Sequence, residues 1–142
     1  MSNLHQKLMD TAYERWNAKW NKEEFHDSLD AQERFAVHTG NFCYQVQNGG
    51  FMQWWDNRYG TPSTVEYLIR AMERMNTPTA KTVGDMLQVF KESMRQRDPR
   101  TNIDEDEWEE MRSELDGLDT DFYKIDDQFL ADCEAHLQKG GW

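Results

Sequence analysis

Fourteen of the 32 residues from Ile103 to Glu134 are Asp or Glu, and only Arg112 and Lys124 oppose them. A segment so charged can join a folded domain in few ways. Its apolar residues Trp108, Met111, Leu115 and Leu118 step i, i+3, i+7, i+10, the period of one helix face and not the alternation of a strand. Asp104, Glu105, Asp106, Glu107, Glu109, Glu110 and Glu114 then fall on the opposite, wet face. The pattern predicts an amphipathic helix, broken near Gly117 and Asp119-Thr120. A last helix should follow, marked by Phe122, Ile125, Phe129, Cys133 and Leu137.

The preceding 102 residues are electrically balanced, with 13 acids and 13 bases. Leu4, Leu8, Tyr13, Trp16 and Trp20 lie near a 3.6-residue period, predicting a first helix with Ser2 as its N-cap. Asn21 to Leu29 is polar and predicts a connection. Asp30, with Glu33 three residues on, starts a second helix whose core stripe is Phe35, Thr39, Phe42 and Val46, flanked by Ala36 and Cys43. Asn48-Gly49-Gly50 is expected to end it, because paired glycines are costly inside a helix and supply positive φ for a cap. An aromatic stretch, Phe51 to Tyr59, follows.

Thr61-Pro62 and Thr77-Pro78 are two copies of one helix-start signal: Thr accepts from orphan N–H groups, and Pro loses nothing at the first helical position. Stripes of Val65, Leu68, Ile69 and Met72, then of Val83, Leu87, Phe90 and Met94, define the two helices. Asp98-Pro99 should close the second. With no strand pattern, repeat or low-complexity linker, the expectation is an all-α, irregular single-domain bundle of six to seven helices over residues 1–142.

A net charge of −11 argues against nucleic acid or an anionic membrane as a direct partner. No apolar run reaches the roughly 18 residues of a membrane span, and Lys7, Asp10, Glu14, Arg15 and Lys19 rule against a signal peptide at the start. Cys43 and Cys133 sit at helical spacing among apolar residues, so free thiols in a cytoplasmic chain are expected.

Chemistry-bearing motifs are absent. His5, His26, His38 and His136 are isolated, no Walker A loop, dinucleotide fingerprint or nucleophile elbow occurs, and no cofactor or metal is called for. Asp119-x-Asp121 resembles the start of an EF-hand loop, but Tyr123, Lys124 and Leu130 occupy its fifth, sixth and twelfth positions. An enzyme is not expected.

The carboxylate surface is the remaining feature. Like charges at i, i+4 destabilise a helix by a few tenths of a kcal/mol per pair, roughly, so 14 in 32 residues exceed what solubility needs. On one straight helix of about 48 Å they would recur every ~3.4 Å, the spacing of one DNA strand, and a hairpin at Gly117 would approach the ~1.7 Å of a duplex. Asp104, Glu105, Asp106, Glu107, Glu109, Glu110, Glu114, Asp116, Asp119, Asp121, Asp126 and Asp127 are therefore the candidate acceptors for a partner's Arg and Lys. The alternative is an interaction module using an exposed aromatic patch, Phe51, Trp54, Trp55 and Tyr59. Whether Lys91, Arg95, Arg97 and Arg100 neutralise the acids internally stays open at this level.

Asn48-Gly49-Gly50-Phe51-x-Gln53-Trp54-Trp55-x-Asn57-x-x-Gly60, after a helix bearing Phe42, Tyr44 and Val46, resembles the central motif of the bacterial DNA-mimic protein family. Leu115-x-x-Leu118-Asp119-x-x-Phe122-Tyr123 is similar to that family's run into its last helix, so the likeness covers about residues 30–137. The resemblance implies an acidic all-helical protein, often dimeric, whose surface imitates duplex DNA and occupies DNA-binding proteins such as transcription regulators and nucleoid proteins; counter-defence against a nuclease is a specialised form of the same decoy reading. Asn48, Gly49, Gly50, Phe51, Trp54, Asn57 and Gly60 are expected to serve the fold, with Asn48 and the glycines capping a helix and Phe51 and Trp54 packing inside.

Overall fold

The computed structural model describes residues 3–18, 25, 27–94 and 103–142, and among them are seven helices and no strand. They are α1 (Leu4–Ala18), α2 (Ala31–Asp56), α3 (Pro62–Met75), α4 (Pro78–Ser93), α5 (Glu105–Glu114), α6 (Leu118–Tyr123) and α7 (Asp126–Gln138). Ser2, Trp20, residues 21–24, Arg95, Arg97, Asp98, Pro99 and Arg100 fall outside the described residues. No described helix is long and apolar enough to cross a membrane.

Local signals start most of these helices. Asn3 Oδ1 accepts from Gln6 N at 3.1 Å at the head of α1. Asp30 accepts from Glu33 N while Glu33 accepts from Asp30 N, a complete capping box. Thr61 and Thr77 cap α3 and α4 with Pro at the first position of each. Between those two helices, Asn76 takes a left-handed conformation (φ 53), which Asn tolerates better than most residues.

The glycine pair does not end α2. Gly50 alone leaves helical geometry, with φ 83 and ψ −179, and the chain resumes as helix from Phe51 to Asp56. That backbone region is essentially restricted to glycine. A break this sharp frees the Phe51 N–H from its normal partner one turn back, and Asp119 Oδ1 accepts it at 2.9 Å from 68 residues away. The expected aromatic segment is thus the second half of a kinked helix. The expected final helix is also divided: Phe122 belongs to α6, and Ile125 precedes α7.

The core is aromatic. Phe35, Phe42, Phe51, Trp54, Phe90, Phe122 and Phe129 are all buried. Phe42 is its hub, meeting Phe51, Trp54 and Phe122 edge-on at centroid distances of 5.6, 5.0 and 5.3 Å, the arrangement the ring quadrupoles favour. Gly60 closes the kinked helix back onto this cluster, and a Cβ there would lie 2.9 Å from Trp54 Cε3. α7 packs against α1, α2 and α4, and α6 against α2. A satellite cluster of Ala12, Phe25, Leu29 and Val37 joins α1 to the start of α2. Cys43 and Cys133 are buried free thiols.

Candidate protein-binding surface

Asp104 caps α5, accepting from Glu107 N at 2.8 Å, and Glu105, Asp106 and Glu107 fill its first turn, where the helix dipole favours negative charge. At about 100° per residue, Met111, Leu115 and Trp108 share one side. Met111 and Leu115 are buried, and Trp108 packs half-buried on Trp55 with centroids 6.0 Å apart. Glu105, Asp106, Glu107, Glu109, Glu110 and Glu114 cover the other side, and all six are exposed. With Asp104 that makes seven carboxylates on 11 residues, or one per roughly 2.4 Å of helix axis, between the spacings of duplex and single-stranded DNA.

Asp116, Asp121 and Asp127 are exposed as well, Asp121 with Lys124 Nζ at 3.7 Å. Two other expected acceptors turn inward. Asp119 is half-buried and caps Phe51. Half-buried Asp126 takes Gln47 Nε2 at 3.2 Å and Asp127 N at 2.7 Å. Exposed Glu114 also has a structural bond, accepting from Ser93 Oγ at 2.5 Å. The 48 Å ribbon is not formed, because Gly117 (φ 89) and Ile125 divide the segment into three helices.

Two carboxylates beyond the expected set also bind the fold together. Asp132 accepts from Thr79 Oγ1 at 2.5 Å, tying α7 to α4. Glu134 accepts from Leu4 N and His5 N at 2.5 and 2.8 Å, capping α1 from α7. Partial burial of Glu134 would raise its pKa, but bonds from His5 N, Gln138 and Leu4 N together hold it below the ordinary value. A capping carboxylate and a solvated one look alike in sequence, so nothing there marked these roles.

Lys91 binds Glu66 at 3.0 Å, not the acidic segment, and Arg70 meets the same Glu66 at 3.4 Å. Arg95, Arg97 and Arg100 lie outside the described residues. The aromatic alternative fails on burial: Phe51, Trp54 and Trp55 are 0, 1 and 3% exposed, leaving only Tyr59 at the surface. The motif residues serve the kink and its packing. Asn57 Nδ2 donates to Gln45 Oε1 at 2.8 Å, whereas Asn48 is exposed within α2 and is not a helix cap. Tyr44 and Tyr123, 62% and 45% exposed, were not selected from the sequence; their signal is that each falls off its helix's apolar stripe. Among the described residues, no three His, Cys, Asp or Glu side chains gather as metal ligands would.

A family model described as DMP19-like protein matches residues 27–139. Neither a curated protein nor a solved structure matches the chain.

Proposed function

Because the chain belongs to the DMP19-like protein family, a family of DNA mimics, we propose that it binds and inhibits DNA-binding proteins by presenting α5 in place of a nucleic-acid backbone. The supporting observation is the wet face of α5, where seven carboxylates crowd 11 residues. Asp116, Asp121 and Asp127 add to the same field. Each carboxylate accepts from Arg or Lys as a phosphate oxygen would. The summed field steers a basic cleft toward the protein, and salt screens that attraction. The protein acts by binding alone, without catalysis, cofactor or contact with nucleic acid. Asp119 and Asp126 are not part of the α5 face: they lie on α6 and α7, each with one oxygen bonded to α2.

Affinity capture at low ionic strength tests this. Bound DNA-binding proteins should be released by duplex DNA and by salt, and a Glu105→Gln/Asp106→Asn/Glu109→Gln variant should capture less and show a shallower salt dependence. Capture that ignores competing DNA, or survives neutralisation of those three groups unchanged, would refute the proposal. Whether the captured protein is a regulator, a nucleoid protein or a nuclease separates host regulation from counter-defence.

A further inference from the structure

Two tyrosines flank the seam where α6 and α7 meet α2. Tyr123, 45% exposed, donates its hydroxyl to Val46 O at 2.9 Å, which ties the side chain to α2 while nearly half of the residue stays open to solvent. One residue further along α2, Gln47 Nε2 holds Asp126, and one turn beyond, Phe51 N holds Asp119. Asp119 is also four residues before Tyr123 on α6, and so shares its face. Partial burial of the Tyr123 hydroxyl, then the charges of Asp119 and Asp126, raise its pKa, consistent with both carboxylates standing close. Tyr44, 62% exposed, precedes Gln47 by one turn on α2.

We propose that this seam reads arginine: the ring of Tyr123, supported by Tyr44, stacks a guanidinium from a basic partner while Asp119 and Asp126 supply its counter-charge. Both carboxylates are already oriented by the fold and keep unused lone pairs, so little ordering remains to be done on binding. A guanidinium is planar and weakly hydrated, and stacks on aromatic faces, whereas the lysine ammonium is a compact, strongly hydrated charge. Imitation of phosphates alone has no use for exposed rings, but discrimination between Arg and Lys does. The inference rests on the mimic reading for the basic character of its partner.

The probes are hexa-arginine and hexalysine peptides, titrated against the full chain and against Tyr123→Leu, Tyr123→Phe and Tyr44→Leu/Tyr123→Leu. Hexa-arginine affinity should fall about two- to five-fold in Tyr123→Leu, with a larger loss in the double variant. Hexalysine affinity should barely change, and Tyr123→Phe, which keeps the ring, should retain most of the selectivity. Upfield movement of the Tyr123 ring protons on adding hexa-arginine is the second readout. Unchanged arginine affinity in a double variant with native circular dichroism overturns the inference, as does failure of hexa-arginine to bind. Absence of an arginine preference in the unaltered chain, with DNA-competed capture intact, refutes this inference alone; an arginine preference without DNA-competed capture refutes only the mimic reading.

Discussion

Asp119→Ala should damage the fold. The substitution removes the acceptor of the Phe51 N–H at the point where Gly50 interrupts α2. A charge-assisted hydrogen bond contributes about 1.5–3 kcal/mol, and loss of a helix cap by truncation to Ala costs about 0.5–2 kcal/mol. Taking about 2 kcal/mol, and about 3–4 °C per kcal/mol for a chain of this size, the thermal midpoint should drop by about 6–8 °C. Asp119→Asn keeps an acceptor oxygen and should lose about half as much or less.

Gly50→Ala supplies an internal control. A Cβ there would overlap Asp119 Oδ2, and φ 83 with ψ −179 is strained for any L residue. The backbone strain costs about 1–3 kcal/mol wherever Asp119 stands. The overlap with the carboxylate exists only while Asp119 is present. The two substitutions should therefore be sub-additive by about 1–2 kcal/mol in a double-mutant cycle, measured by denaturant unfolding. Full additivity, or an Asp119→Ala variant that keeps its midpoint, would show that Asp119 does not cap the restart of α2.

Thr61→Ala and Thr77→Ala should each cost about 1 kcal/mol by urea unfolding, since Thr64 N and Ala80 N lose their side-chain acceptors. Burial lowers the pKa of His5, with the charge of Glu134 opposing it in part. The unfolded chain then binds the proton more readily, so this contribution to stability is complete above the ordinary value of about 6.5 and is lost as pH falls toward the lowered native value. His5→Gln keeps a donor for Thr39 Oγ1, which the imidazole Nε2 meets at 2.9 Å, and should flatten that limb of the midpoint-against-pH curve. Burial also raises both thiols, Cys43 and Cys133, so alkylation should proceed at the rate of unfolding; labelling of the native protein at the rate of a free cysteine would contradict their enclosure.

How much of this was legible in the sequence depends on the range of the forces involved. The Thr-Pro starts and the Asp30–Glu33 box were readable because cap and capped N–H are three residues apart. The outward face of α5 was readable because one period governs ten consecutive residues. Gly50 was misread for the opposite reason: a positive φ predicts a stop, but Asp119, 68 residues away, caps the restart and lets the helix resume. The inward duties of Asp126, Asp132 and Glu134 likewise depend on partners 79, 53 and about 130 residues distant. Burial of Phe51 and Trp54 was expected from the motif, whereas that of Trp55 follows from the resumed helix and was hidden with it.

α5 is fixed to the body by Met111, Leu115 and Trp108, with Glu114 bonded to Ser93, and Glu105, Asp106 and Glu109 are exposed. Replacing exposed residues such as Glu105, Asp106 and Glu109 leaves the packing of Met111, Leu115 and Trp108 as it is, so their charge pattern can change without a compensating change in the core. Selection can therefore retune which protein is captured one substitution at a time, and chains sharing this scaffold are free to diverge in their prey.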